Sequence, residues 1–91
     1  TRLLSIEVRQ AIQNLTDGYN LVQTAELACL QARENLRTMR NRYTNGLSPL
    51  TDLLDAQSQW QQAESNRIEA LAQYKIYETD YLRCTGRLDA D

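Results

Sequence analysis

Two interlocking series of small and apolar residues, each repeating every seven positions, constrain this chain more than any other feature. One series runs Val8, Leu15, Val22, Cys29, Leu36, Tyr43, and the other runs Leu4, Ala11, Gly18, Ala25, Ala32, Met39. They alternate at spacings of three and four, which is the a/d seam of a coiled coil sustained for about six heptads. A straight helix over residues 2–44 would be about 65 Å long. A periodic run of that length without an internal stop indicates a coiled coil rather than an ordinary globular helix. Gly18 is the weak position, since glycine inside a helix costs roughly 1 kcal/mol against alanine. Its small size also permits close approach by a neighbour.

The next segment, Asn45-Gly46-Leu47-Ser48-Pro49, reads as stop, turn and restart. Gly46 can take the left-handed conformation that ends a helix. Ser48 is a good N-cap, and Pro49 suits the first helical position. Asp52 and Asp55 follow in the opening turns, where negative charge opposes the positive end of the helix dipole. The turn is therefore expected over residues 45–48, with a second helix from about 49 to about 84.

That helix carries its own seam: Leu53, Ala56, Trp60, Ala63, Arg67, Ala70, Tyr74, Tyr77, Tyr81, Cys84, Leu88. Arg67 interrupts it, and its charge is expected to snorkel or to pair with a carboxylate. Alanines at 56, 63 and 70 allow close packing. A second stripe, Leu50, Leu54, Ile68, Leu71 and Leu82, lies beside the first and exceeds what one partner helix needs. Other chains, or other parts of the same chain, are expected to cover it. The short connection makes the two helices antiparallel neighbours. This register sets Cys29 opposite position 66 and Cys84 opposite Ala11, too far apart for a disulfide. Both cysteines are read as small buried hydrophobes.

The composition agrees with an all-α hairpin of two long antiparallel helices. The 91 residues hold three Gly, one Pro and no Phe, which argues against an all-β fold. There is no His and no CxxC pair, so neither a metal site nor a cofactor is expected. No carboxylate pair in a concave site and no Gly-rich phosphate loop suggest an enzyme. No apolar run reaches the ~20 residues of a membrane-spanning helix, and no signal peptide is visible. The net charge of −2 gives no overall field to recruit nucleic acid. Arg33, Arg37, Arg40 and Arg42 form one basic cluster. It serves either to complement the C-terminal end of the first helix dipole or as a partner-binding patch.

The stretch Arg42-Tyr43-Thr44-Asn45-Gly46-Leu47-Ser48-Pro49-Leu50-Thr51-Asp52-Leu53-Leu54-Asp55-Ala56-Gln57 resembles the signature of TolC-like outer-membrane efflux proteins. The shared elements are an Arg-Tyr pair with Gly three residues after the Tyr, then Asp-x-Leu-Asp-Ala opening the returning helix. Ala63-Glu64, Ala70 and Tyr74 continue the likeness. The end, Leu82-Arg83-Cys84-Thr85-Gly86-Arg87-Leu88, is similar to the family's Leu-x-x-Ala-Thr-Gly-x-Leu, with Cys84 in place of Ala. The pattern is closest to the C-terminal helical repeat of the family.

The resemblance implies the periplasmic helical hairpin of an outer-membrane protein. It implies a homotrimer whose α-helical barrel works with a periplasmic adaptor and an inner-membrane transporter. Asp52 and Asp55 match family carboxylates that line the closed pore, although simple dipole partnership in the first turns explains them as well. Tyr43 matches a tyrosine of the network that holds the pore shut, yet it also occupies a seam position. Gly46, Leu47 and Ser48 match the tip that adaptors contact, and turn chemistry alone accounts for Gly46 and Ser48. Ser48 departs from members that carry an arginine there, so the locking bonds of the gate differ. Trp60, Tyr74, Tyr77 and Tyr81 are read as packing residues. A generic coiled-coil interaction module is the rival reading of the whole chain, and a nucleic-acid-binding arm a more distant one.

Overall fold

The computed structural model describes the backbone of residues 2–90 and the side chains of residues 3, 5–86. It contains two helices, α1 (Arg2–Thr44) and α2 (Leu50–Ala90), with no strand among the described residues. The all-α, two-helix expectation is borne out. No helix among the described residues is long and apolar enough to cross a membrane. The chain divides into two compact units. One is Thr24–Ile68, which holds the connection between the helices; the other combines Thr1–Gln23 with Glu69–Asp91.

In the unit Thr24–Ile68 the seam lies where the heptads place it. Ala25, Cys29, Leu36, Ala56 and Ala63 are buried, while Ala32, Met39, Leu53, Trp60 and Arg67 are half-buried. All of these buried residues except Leu36 are small, so the two backbones can approach closely. Tyr43, the last member of its series, is 43% exposed. The chain turns back just beyond it, so no complete layer forms over its ring. Leu50, Leu54 and Ile68 all face solvent, as a stripe beyond the reach of the partner helix must. Leu27 and Leu30 on α1 are exposed as well.

The second unit repeats the pattern. Ala11, Val22, Ala70 and Cys84 are buried, and Val8, Leu15, Tyr74, Tyr77 and Tyr81 are half-buried. Gly18 is buried, and a methyl group built on it would stand 2.8 Å from Cδ2 of Tyr77. The glycine therefore forms the hole that the tyrosine ring fills. The Tyr74 ring meets Tyr19 at a centroid distance of 6.3 Å and an interplanar angle of 54°, within the favourable range for tilted pairs. Ala11 and Cys84 line one small cleft with Glu7 and Asp80, in keeping with the expected register. Leu71 and Leu82 are exposed. Leu4 and Leu88, the outermost seam positions, have side chains outside the described residues.

The start of α2 agrees with the sequence reading to within one residue, and its end does not. The helix starts at Leu50, one residue after the expected Pro49. The cap position therefore passes to Pro49, whose carbonyl accepts the Asp52 N–H at 3.2 Å. Ser48 sits one place too early, and the Asp52 N–H goes to the Pro49 carbonyl instead of the Ser48 hydroxyl. At the other end α2 continues to Ala90 instead of stopping near 84. Among the described residues Gly46 is the only glycine with positive φ, so Gly86 is not used as a helix stop. No proline follows to break the helix, and the hydroxyl of Thr85 bonds back to the carbonyl of Tyr81 within it.

Candidate functional site: the hairpin tip and a polar clasp

α1 ends in a hydrogen-bonded cap built by Gly46. Its N–H donates to the Tyr43 carbonyl at 3.0 Å, and the Leu47 N–H donates to the Arg42 carbonyl at 2.7 Å. This pair of bonds is the Schellman motif. Gly46 adopts φ +73°, the conformation the motif requires and one that L side chains rarely take. The Asn45 N–H continues the helical pattern to the Asn41 carbonyl at 3.1 Å. The Thr44 hydroxyl donates to the Arg40 carbonyl at 2.9 Å. Four backbone and side-chain donors thus serve the last turn, and the tip is held by its own hydrogen bonds.

The cap leaves an apolar side chain in water. Schellman motifs usually bury the residue after the glycine against the last turn of the helix. Here that residue is Leu47, and it is 74% exposed. Its counterpart in the last turn is Arg42, a charged residue that offers no apolar surface of its own at the end of its stem. Gly46 is exposed and Ser48 half-buried beside it.

Asp52 and Asp55 both project into solvent from the opening turns of α2. Their spacing of three places them on one helix face. Asp52 stands in the first turn, where the free N–H groups favour its charge. All six sequence-selected residues, Tyr43, Gly46, Leu47, Ser48, Asp52 and Asp55, therefore lie on the connection and the turns that flank it. Tyr43 joins the tip through its backbone carbonyl, which is the acceptor for Gly46.

A second polar constellation, in the middle of the same unit, was only half legible. Arg67 pairs with Glu64, at 3.3 Å from Nε to Oε1 and 3.4 Å from Nη2 to Oε2. That pairing was expected in kind. Unexpected is the thiol of Cys29, which donates to the same Oε1 of Glu64 at 2.8 Å. The hydrogen bond to Glu64, and then burial, push the Cys29 thiol above its ordinary value. The bond from Cys29, and then the bond from Arg67, hold the Glu64 carboxyl below its own. Glu64 in turn raises the Arg67 guanidinium. The Glu64 carboxylate thereby accepts hydrogen bonds from both helices while it pairs the seam charge of Arg67. Cys29 and Cys84 are both free thiols and both buried. The signal for this clasp was Glu64 three residues before a seam arginine, with a cysteine nearly opposite. Trp60 packs in the seam one turn earlier, and its buried indole N–H has no hydrogen-bond partner.

No group of three or more potential metal ligands occurs among the described residues. The arrangement offers an ordered tip with an exposed leucine, a pair of carboxylates behind it, and a self-satisfied clasp deeper in the seam. Comparison with curated proteins finds no match, and comparison with solved structures finds none either. The family model for outer membrane efflux proteins does match, and it does so over residues 2–87. That span takes in α1, the Schellman turn, the Asp52–Asp55 pair and all but the last residues of α2, so the chain belongs to the outer membrane efflux protein family.

Proposed function

We propose that this hairpin is a periplasmic segment of a trimeric outer-membrane export channel. The family match across both helices is the observation that carries this reading. In it, the two helices contribute to an α-helical barrel through which small molecules or proteins leave the cell. The tip, Gly46, Leu47 and Ser48, meets a periplasmic adaptor, and an inner-membrane transporter supplies the substrate. An exposed leucine on a hydrogen-bonded turn is suited to such contact, because the rigid turn loses little entropy when a partner covers it.

Asp52 and Asp55 line the pore in this reading, with Tyr43 nearby as a locking group. Three copies would bring six carboxylates round one axis. Such a ring attracts cations and resists crowding of its like charges. Asp52→Ala with Asp55→Ala in the full-length trimer is expected to raise single-channel conductance and weaken block by divalent cations. Unchanged currents would remove the pair from the pore. A cysteine introduced at Leu47 is expected to crosslink to the adaptor in assembled pumps, while the buried Cys29 and Cys84 stay silent. Absence of that crosslink would place the adaptor elsewhere.

A further inference from the structure

The middle of the seam in the unit Thr24–Ile68 is built from side chains that space two helices without orienting them. Ala25, Ala56 and Ala63 are buried there. Their methyl groups allow close approach, but such small knobs leave a low barrier to rotation of one helix against the other. Seams of roughly the right volume keep their stability longer than they keep a unique packing. The Schellman turn holds the helices at one end only. About 25 Å of helix separates it from Cys29.

The clasp of Cys29, Glu64 and Arg67 sits in this slack stretch. The side chains of Arg67 and Glu64 are 33% and 28% exposed, so the pair is partly withdrawn from water. Side-chain bonds such as Gln62 to Asn66 and Thr44 to Arg40 stay within one helix. The thiol of Cys29 instead crosses the seam to Glu64 at 2.8 Å. A thiol is short and donates a single bond, so it reaches the carboxylate in only one setting of α1. Rotation one way brings the series of Ala25 and Ala32 towards Glu64, and neither residue carries a side-chain donor. Rotation the other way brings in Glu26 and Leu30, which line the open flank of the clasp. These offer a like charge and an apolar chain. Arg33, on the same flank, acts on Glu64 through its charge, and its long stem follows the carboxylate over a range of settings. The short Cys29 therefore discriminates where Arg33 does not. Charged groups held in a seam add little stability over apolar side chains of similar size, yet a polar layer can select one packing.

We infer that Cys29, Glu64 and Arg67 are positioning residues that fix the rotation of α1 against α2 in this unit, and that they do so without adding stability over an apolar layer. The inference uses only residues of this unit and holds whether or not the chain serves an export channel.

Trp60 supplies the readout. It is the one tryptophan of the chain. It is half-buried in the same seam, and its buried indole N–H has no hydrogen-bond partner, so its resonance reports the packing around it. The isotopically labelled full chain is expected to give one sharp indole N–H signal. Glu64→Leu with Arg67→Leu replaces the charged pair by an apolar one. That variant should keep its helicity, and its unfolding midpoint should stay within about 5 °C of the native value or rise. Its indole signal should nevertheless split, or broaden through exchange between packings. Cys29→Ala should broaden the signal as well, whereas Cys29→Ser, which keeps a donor on a side chain of similar length, should restore it. A single sharp signal in the leucine pair overturns the inference, because the packing is then unique without the clasp. Equal spectra from the alanine and serine variants also overturn it. So does a midpoint lowered by more than about 10 °C in the leucine pair, which would make the clasp a stabilising element. Split signals that merge on dilution would report self-association, and they overturn it too.

Discussion

Gly46 and Gly18 are both glycines in a helical hairpin, yet they answer to different physics. Gly46 is held at φ +73° with open space around it, so the cost of a side chain there is conformational. Gly46→Ala is expected to destabilise the hairpin by about 1 kcal/mol, the usual penalty for an L-residue in the left-handed region. Thermal or urea unfolding would measure it, and an unchanged midpoint would mean the Schellman turn does not persist in solution. Gly18 has helical dihedrals, and its limit is the Tyr77 ring. Gly18→Ala gains about 1 kcal/mol of helix propensity but must displace that ring, at about 1–3 kcal/mol for an overpacked site. A net loss is expected in the native background. With Tyr77→Ala already present, the same change should stabilise, and a double-mutant cycle would show the reversal.

The clasp of Cys29, Glu64 and Arg67 carries a pH signature at the same scale. Glu64 titrates below its unfolded value of 4.5 in the folded chain, so its contribution is present above that pH and is lost as pH falls through the folded value. Cys29 titrates above its unfolded value of 9.0, so stability falls once pH rises past that point and the unfolded thiol ionises. Glu64→Gln should flatten the acid limb of a stability–pH curve, and Cys29→Ala the alkaline limb. Retention of both slopes in the variants would show that other groups set them. The raised thiol should also react slowly with alkylating reagents in the folded chain, because the thiolate is the nucleophile.

At the scale of the element, the seam of α2 is built for proximity rather than for bulk. Ala56, Ala63 and Ala70 are buried at seven-residue spacing, and the large apolar residues of the second stripe stay outside. Ala63→Leu should therefore cost about 1–3 kcal/mol through overpacking. An exposed position such as Leu54 should tolerate a polar residue within about 0.5 kcal/mol in the isolated chain. Unfolding midpoints for the two variants would separate the faces, and equal effects would contradict the seam assignment. The periodicity legible in residues 8–43 and 53–84 sufficed to assign nearly every buried position. It misplaced Tyr43, because a heptad count does not register that the chain reverses just beyond that ring. It also misplaced the end of α2, because glycine is compatible with more than one helical position, and hydrogen bonding chooses among them.

At the scale of the whole molecule, the family match and the exposed leucines concern what surrounds this hairpin. Leu71 and Leu82 lie in the unit that combines Thr1–Gln23 with Glu69–Asp91, and they stay in water there. In the proposed barrel, neighbouring helices cover them. Leu71→Glu with Leu82→Glu in the full-length protein should then weaken trimer assembly while leaving the helicity of this chain intact. A trimer of undiminished stability in sedimentation would show that these residues face away from any neighbour.

The sequence by itself determined the two helices, their antiparallel return, the composition of the seam and the stripe it leaves over. Each of these depends on short-range spacing or on the conformational limits of single residues, and both are written directly in the order of amino acids. Tertiary structure alone decided that the Cys29 thiol donates a hydrogen bond to Glu64 and that the Tyr77 ring fills the hole left at Gly18. Those relations join residues far apart in the chain. They depend on how far α1 and α2 are rotated and staggered against each other, and the packing of small side chains such as Ala56, Ala63 and Gly18 sets that stagger.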